Sequence, residues 1–138
     1  MRVSGRAVII EDGKVYTIFR RKVTDGVAKE YYVLPGGGQE EGESLEETVI
    51  RELKEEFDVD IEILGYLGSN EYKDTVGYYF HCKITNGTPT ISGEELDRMT
   101  EENLYEVRLL DLDKLDDLDA PMRELISKAV NKEYTTLV

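Results

Sequence analysis

The chain has 138 residues, of which 40% are hydrophobic and 34% are charged. This length fits one compact domain, and this apolar share is typical of a globular chain and not of a disordered one. The sequence contains no run of about 18 apolar residues and no apolar signal-peptide segment at its N-terminus, so we expect a cytoplasmic protein without membrane spans.

The ionisable residues narrow the possible functions. Thirty acidic residues against seventeen basic ones give a net charge of −13, which disfavours a nucleic-acid polymer as the main partner. Cys82 is the only cysteine and His81 the only histidine, so the sequence excludes an internal disulfide and a zinc site built from these residues. Any bound metal ion is therefore expected to have oxygen ligands.

The first third of the chain is predicted to form three strands. Residues 6–10 and 15–19 are rich in strand-forming side chains, and Asp12 and Gly13 between them are typical of a hairpin turn. A third strand covers residues 30–34 and ends at a proline, which cannot donate a main-chain hydrogen bond. The glycines at positions 36–38 then predict a loop with unusual backbone angles.

A helix is predicted from residue 44 to residue 57. Ser44 followed by Glu47 forms a capping-box pattern at its start. Apolar residues then recur at helical spacing, and they are Leu45, Val49, Ile50, Leu53 and Phe57.

The second half of the chain predicts three more strands and one more helix. The strands cover residues 59–67, 76–84 and 105–110, with polar stretches at 69–74 and 93–103. The helix begins near Pro121, and its apolar face carries Met122, Leu125, Ile126, Ala129 and Val130. Strands mixed with two separate helices favour a single-domain α/β layered sandwich.

Three glutamates share one arc of the first predicted helix. At about 100° per residue, Glu52, Glu55 and Glu56 span about 100° beside the apolar arc. Two carboxylates about 5.5 Å apart repel each other by about 3 kcal/mol at an effective dielectric constant of about 20, so a cation that prefers oxygen ligands, such as magnesium, would stabilise them. A solvated acidic face explains the same spacing. The neighbouring glycines fit an anion-binding loop or an ordinary turn, and they do not form a P-loop.

A longer pattern joins the glycines to the glutamates. Eight residues stand at the positions of the Nudix box, G-x5-E-x7-R-E-U-x-E-E-x-G-U with U aliphatic, and they are Gly37, Glu43, Arg51, Glu52, Leu53, Glu55, Glu56 and Val59. The preceding Tyr-Val-Leu-Pro-Gly-Gly segment at 32–37 is similar to a lead-in common in that family. The chain therefore resembles the Nudix family of MutT-type pyrophosphohydrolases, with its box at residues 37–59. Asp58 replaces the box glycine, and aspartate tolerates the left-handed conformation of a helix end.

The resemblance implies a fold and a reaction. The family fold is an α/β/α sandwich with a mixed β-sheet, which we expect to cover residues 1–138 as one domain. The reaction is hydrolysis of the diphosphate linkage of a nucleoside diphosphate joined to another group, by attack of water on phosphorus. The short chain favours a nucleoside triphosphate or related small nucleotide as substrate, with dinucleoside polyphosphates or ADP-sugars next. The resemblance is compatible with both a monomer and a homodimer.

The resemblance also assigns site residues. The expected ligands of a Mg²⁺ or Mn²⁺ ion are Glu52, Glu55, Glu56, the Gly36 carbonyl and, from the later polar loop, Glu94 or Glu95. Arg51 and Glu43 complete the catalytic set as a salt bridge that supports the site. The general base would be Glu55 or a glutamate of the 93–103 loop, where Glu94, Glu95, Glu101 and Glu102 are available.

Substrate contacts are predicted from residue type and position. The candidates are Gly36, Gly37, Arg20, Arg21 and Tyr32, with Tyr78 and Tyr79 as further aromatic candidates. The arginines would contact phosphate and a tyrosine would stack on a base, although aromatic residues in strands belong more often to the core.

Two other functions fit part of the pattern. A Nudix-fold regulatory module that binds nucleotides with little or no catalysis would be expected to have substituted box glutamates, whereas all of them are present here. An isoprenyl diphosphate isomerase would need a catalytic cysteine, and Cys82 lies in a predicted strand far from the box.

Overall fold

The computed structural model describes residues 1–137. Within them, the strands are β1 (Arg2–Glu11), β2 (Lys14–Thr24), β3 (Val27–Val33), β4 (Gly36–Gly38), β5 (Asp60–Tyr72), β6 (Thr75–Asn86) and β7 (Asn103–Asp111). The helices are α1 (Leu45–Phe57), α2 (Gly93–Asp97) and α3 (Ala120–Val130). No helix in this described part is long and apolar enough to span a membrane.

Strand β1 lies at the centre of the sheet. It pairs in parallel with β6 and antiparallel with β4 and β2, which gives the order β3-β2-β1-β6-β5, while β7 pairs with β2. Successive side chains of a strand point to opposite faces, so Ala7 and Ile9 pack with α1 and Val8 packs with α3. The expected mixed sheet with helices is confirmed.

The apolar side of α1 anchors the helix to the sheet. Val49, Leu53 and Phe57 are fully covered and pack in one cluster with Ile9 of β1. The ring of Phe57 meets that of Tyr16 edge-on, with 6.1 Å between centroids. Each such side chain stabilises the fold by about 1.5–3 kcal/mol when it leaves water, so the position of α1 on the sheet is strongly fixed.

The covered arc of α1 is shifted from the predicted one. Ile50, which was predicted to lie on the apolar face, is 45% exposed, whereas Thr48 is fully covered and Glu56 is only 8% exposed. Glu56 is covered because α2 packs against α1 and the main-chain N–H of Glu95 in α2 donates to its carboxylate. Thr48 is covered on a different side, where it lies over Gly5 of β1 and donates to Glu43. One glutamate of the acidic arc is therefore inside the fold.

Two segments predicted as irregular are strands. The glycines of β4 were predicted to form a loop, but they pair antiparallel with residues 4–6 of β1. The prediction was wrong because residue preferences do not show which strand edges need partners, and the main-chain groups of buried strands are almost always paired. Strands β5 and β6 likewise continue through the predicted separator at 69–74 and are joined by a turn at Lys73 and Asp74.

Asp58 ends helix α1 in the left-handed conformation. Its φ and ψ are 54° and 42°, and its main-chain N–H donates to the Leu53 carbonyl. Because this conformation costs a residue with a Cβ about 1 kcal/mol, we expect Asp58→Gly to raise the free energy of unfolding by up to about 1 kcal/mol in urea denaturation. Asp58→Val is the control with the opposite expectation: a β-branched residue disfavours the left-handed conformation, so this variant should lower the free energy of unfolding. A less stable glycine variant would contradict this account of the helix end.

Candidate active site

The three box glutamates of α1 form a compact carboxylate group. One oxygen from each of Glu52, Glu55 and Glu56 lies within 4.8 Å of the others. Their surroundings differ, because Glu56 is buried, the side chain of Glu52 is 13% exposed and that of Glu55 is 52% exposed. The group thus extends from the protein interior to the surface.

Arg51 links this group to the segment before the helix. Its Nε and Nη2 donate to the Glu43 carboxylate at 2.6 and 3.0 Å, and its Nη2 also donates to the Gly38 carbonyl at 2.9 Å. Its Nη1 donates to Glu52 at 3.0 Å and to Glu55 at 3.1 Å. The expected contact between Arg51 and Glu43 is therefore present, and a single guanidinium ties β4 to α1.

Glu43 is held in its charged form. The Arg51 guanidinium lowers the pKa of this carboxyl to about 2, and the main-chain N–H of Glu40 and the Thr48 hydroxyl add further hydrogen bonds. Thr48 lies in the first turn of α1, so Glu43 connects the turn after β4 with the start of the helix. This contact limits movement of the glycine strand relative to the glutamates.

Two glycines of β4 allow close approaches, Gly37 to the carboxylate group and Gly36 to β1. A Cβ on Gly37 would fall 2.5 Å from Oε2 of Glu52, so a side chain at this position would displace the carboxylate. Gly36 has φ of +147°, and a Cβ there would fall 2.7 Å from the Cα of Arg6. The main chain can approach Glu52 this closely only because residue 37 is a glycine, and residue 36 can lie this close to β1 for the same reason.

Glu52 is held in a partly covered place. Burial is the largest cause that raises the pKa of its carboxyl, and the negative charges of Glu56 and Glu55 raise this pKa further. The Arg51 guanidinium lowers the same pKa. A cation bound between these carboxylates would offset both the cost of burying the Glu52 charge and the repulsion from Glu55 and Glu56.

Helix α2 brings a fourth carboxylate, that of Glu95, near Glu56 but outside the group of three. The main-chain N–H of Glu95 donates to Oε2 of Glu56 at 3.1 Å. Burial, together with the charge of Glu56, raises the pKa of the Glu95 side chain to about 7. Its own Oε2 is covered and has no hydrogen-bond partner within residues 1–137. Glu94 points elsewhere, because it is exposed and accepts a bond from Arg98 at 2.9 Å.

The segment before α2 is bonded to the end of α1. The main-chain N–H groups of Thr90 and Ser92 donate to the carbonyls of Phe57 and Glu56, at 3.1 and 3.0 Å. The Ser92 hydroxyl donates to the Glu55 carbonyl at 2.6 Å. These are carbonyls that the last turn of a helix leaves without internal partners. The contacts therefore satisfy the helix end and also fix where Glu95 lies.

A family model matches most of the chain. The NUDIX domain model aligns with residues 1–129. The chain belongs to the Nudix family. Members of this family are hydrolases that act on nucleoside diphosphate derivatives. A search of curated proteins finds no significant match to the sequence.

Solved Nudix structures share the fold at low sequence identity. A MutT Nudix hydrolase from Burkholderia pseudomallei is 22% identical, with a TM-score of 0.70 over 91% of this chain and 95% of that one. An ADP-ribose pyrophosphatase from Streptococcus suis is 19% identical, with a TM-score of 0.66 over 98% and 96%. A UDP-X diphosphatase is 19% identical, with a TM-score of 0.66 over 96% and 64%. At these identities the likeness concerns the fold alone.

The donors of the Nudix carboxylate group suit a hard divalent cation. They are all oxygen atoms, they converge within a few ångströms, and their charges are only partly offset by Arg51. The covered Oε2 of Glu95 adds an acceptor without a partner among the described residues. Magnesium and manganese favour such ligands, so the residues present fit the ion that the Nudix box implies.

The five predicted substrate side chains lie in different places. Arg20 faces the α1 side, stacks on Tyr105 at 3.7 Å from its centroid and donates to Asn103 at 2.5 Å. Its Nε is covered and has no partner in residues 1–137. Arg21 follows Arg20 in β2, so its side chain leaves the opposite face of the sheet.

Tyr32 is engaged in packing on the α3 side of the sheet. Its ring lies 5.3 Å from that of Phe19, and its hydroxyl accepts a hydrogen bond from Arg108 at 3.3 Å. Of the predicted substrate side chains, Arg20 and Tyr78 therefore lie on the glutamate side of the sheet, and Arg21, Tyr32 and Tyr79 lie on the other.

Arg6 is a site residue that the sequence did not reveal. It lies in β1 opposite Gly36, and its Nη1 donates to the Leu34 carbonyl at 2.8 Å. Burial lowers the pKa of its guanidinium, while nearby Tyr79, Glu95 and Glu52 raise it. In the sequence, Arg6 stands next to an apolar strand segment at residues 7–10. The preferences of residues for strands do not show whether such an arginine is covered or on the surface.

Proposed function

We propose that this Nudix protein hydrolyses the diphosphate linkage of a nucleoside diphosphate joined to another group, with Mg²⁺ or Mn²⁺ as cofactor. Water is the nucleophile and phosphorus the atom attacked. The convergence of Glu52, Glu55 and Glu56 within 4.8 Å, beside the unpartnered Oε2 of Glu95, carries this proposal. Our first candidate substrate is a nucleoside triphosphate or a related small nucleotide, handled by one domain that covers residues 1–138.

The proposed ion ligands are Glu52, Glu55 and Glu56, joined by the Gly36 carbonyl and Glu95. A divalent cation held there would offset the charge of the diphosphate and make attack by water easier. This offset matters because the protein itself carries a net charge of −13 and would otherwise repel its substrate. Arg51 and Glu43 position the glutamates, and Arg20 supplies a cation on the same face of the sheet for a substrate phosphate.

Glu55 and Glu95 are the two candidates for the group that accepts a proton from water. Glu95 has a free oxygen among the described residues, whereas Glu55 is hydrogen-bonded to Arg51. We therefore expect Glu95→Gln to lower turnover by more than about tenfold, because the isosteric amide cannot accept that proton and is a weaker ligand. Glu94→Gln is the matched control, since it changes the adjacent exposed carboxyl, and it should keep turnover within about twofold. Equal effects of both variants would exclude a special role for Glu95.

The test of the proposed reaction is a panel of nucleotides incubated with and without magnesium, with products resolved by mass. Nucleoside triphosphates, dinucleoside polyphosphates, ADP-ribose and UDP-linked compounds belong in the panel. Water labelled with heavy oxygen identifies which phosphorus is attacked. Magnesium-dependent cleavage at a diphosphate bond is expected, whereas tight binding without cleavage would show a regulatory module instead.

The position of Cys82 argues against an isoprenyl diphosphate isomerase, which would need a catalytic cysteine. Cys82 is buried in the cluster under α1, and burial raises the pKa of its thiol to about 12. A thiol in this state is neither accessible nor ionised near neutral pH. A carbon-skeleton assay on an isoprenyl diphosphate is therefore expected to show no rearrangement.

We also propose a small-molecule substrate in preference to a nucleic-acid polymer, and a cytoplasmic monomer or homodimer. The net charge of −13 supports the first choice, because it disfavours a long polyanion. Size-exclusion chromatography with light scattering distinguishes the two assemblies.

A further inference from the structure

A cavity of about 280 Å³ lies between the sheet and the start of α3. At about 30 Å³ per water molecule it has room for about nine waters. Ligand pockets usually measure about 300–1,000 Å³, so this cavity can hold one group of a larger ligand. Its polar lining includes Ser4, Arg6, Asn70, Lys73, Thr75 and Tyr79. None of the lining residues in the described part of the chain is an aspartate or glutamate, although the protein has thirty of them.

Arg6 lines this cavity from β1, on the face of the sheet that α3 covers. Within residues 1–137, its one side-chain hydrogen bond goes to the Leu34 carbonyl, and it forms no ion pair. The charges of Glu52 and Glu95 also act on its guanidinium and favour its charged form. The Arg6 side chain is half-buried, and a guanidinium with unfilled N–H groups in such a place favours an anionic or strongly accepting partner. The cavity is where such a partner can reach those N–H groups.

Ser4 adds a second unfilled hydrogen bond at the same place. This residue is 2% exposed, and its Oγ has no partner among residues 1–137. It lies two positions before Arg6 in β1, so both side chains leave the same face of the strand. Buried hydroxyls are nearly always paired in folded proteins, so this one indicates a ligand atom or an ordered water in the cavity.

The geometry points to a binding site for a phosphomonoester on the ribose of the substrate nucleotide, apart from the diphosphate that is cleaved. This inference rests on the proposed function, because it assigns the cavity to the same substrate. Arginine and lysine bind phosphate with charge-assisted hydrogen bonds, and the hydroxyl and amide groups around them can donate to the remaining oxygens. A neutral group would leave these two cations without an anionic partner inside the cavity, since the described lining has no aspartate or glutamate.

Lys73 supplies the part of this site that can be changed without harming the fold. It lies in the turn between β5 and β6, where it is exposed and its ammonium is 5.3 Å from the Tyr72 ring centroid. Arg6 is less suitable for a test, because its replacement could disturb the contact with Leu34. Lys29 in β3 is the matched control, since it is an exposed lysine that does not line the cavity.

The test measures dissociation constants by calorimetry for ADP and for ADP with an added phosphate on the 2′ or 3′ oxygen, with calcium in place of magnesium. Product analysis checks that the ligands stay intact. We expect at least one phosphorylated form to bind about tenfold more tightly than ADP. Lys73→Gln and Ser4→Ala should each reduce this ratio severalfold, and Lys29→Gln should leave it unchanged.

Two results would overturn the inference: equal binding of all three ligands, or a preference that survives both cavity variants. The outcome is separable from that of the proposed reaction. A binding preference without cleavage in the magnesium panel would remove the hydrolase proposal and keep the phosphate site. Cleavage in the magnesium panel without any binding preference would keep the hydrolase proposal and remove the phosphate site.

Discussion

Glu56→Gln is expected to lower turnover by more than about tenfold without unfolding the protein. Glutamine keeps the shape of the side chain and can still accept the hydrogen bond from the Glu95 N–H, at 3.1 Å in the native protein. It loses the charge that a divalent cation requires. Glu55→Gln should lower turnover by a similar factor, although its side chain is 52% exposed, because the charge of that group is also part of the proposed site.

Glu46→Gln is the control for both variants. Glu46 lies in the first turn of the same helix, is exposed, and does not belong to the carboxylate group. Circular dichroism and thermal unfolding should show the fold intact in all three proteins. Titration with magnesium, followed by the shift in unfolding midpoint, should show weaker stabilisation for the Glu56 and Glu55 variants than for Glu46→Gln. Near-native turnover of both site variants would refute the assignment of the glutamates.

Arg51→Gln is expected to lower the free energy of unfolding by about 2 kcal/mol and turnover by more than about tenfold. Removing one partner of a wholly buried ion pair costs about 3–5 kcal/mol, whereas an exposed pair contributes less than about 1 kcal/mol. The Arg51 side chain is 21% exposed and contacts Glu43, Glu52 and Glu55, so it lies between these limits. Without it, the carboxylates repel each other and β4 loses a bond through Gly38.

Lys54→Gln is the control for Arg51→Gln, because it removes a positive charge from the same helix at a position with only a 3.7 Å surface contact to Asp60. It should change stability by less than about 0.5 kcal/mol. Magnesium provides a further discrimination. A cation would replace part of the lost charge, so it should raise the unfolding midpoint more in Arg51→Gln than in the native protein. An equal rise in both would indicate that Arg51 supports the fold without acting on the carboxylates.

The sequence contained the local part of the site and little of its surroundings. Helix α1, its capping box and the spacing of Glu52, Glu55 and Glu56 follow from contacts within a few residues, so periodicity and the box pattern predict them well. The hairpin at Asp12 and Gly13 is predictable for the same reason.

Features that depend on tertiary contacts were not predictable in this way. Choosing Glu95 from four glutamates needed the packing of α2 on α1, and placing Arg20 and Arg21 on opposite faces needed the register of β2. Arg6 was missed because it is partly covered by β4, β6 and the cavity wall, none of which is near it in sequence.

The bonds from Thr90 and Ser92 to the end of α1 have a consequence for how the chain can vary in length. Glu56 and Glu95 are far apart in sequence, and the whole β5–β6 hairpin lies between them. Because Glu95 is positioned by the helix end and not by that hairpin, residues can be inserted at its Lys73 turn without moving the two carboxylates relative to each other. An insertion between Ser92 and Glu95 has no such freedom, since even a Cβ added at Gly93 would fall 2.7 Å from the Glu55 carbonyl oxygen.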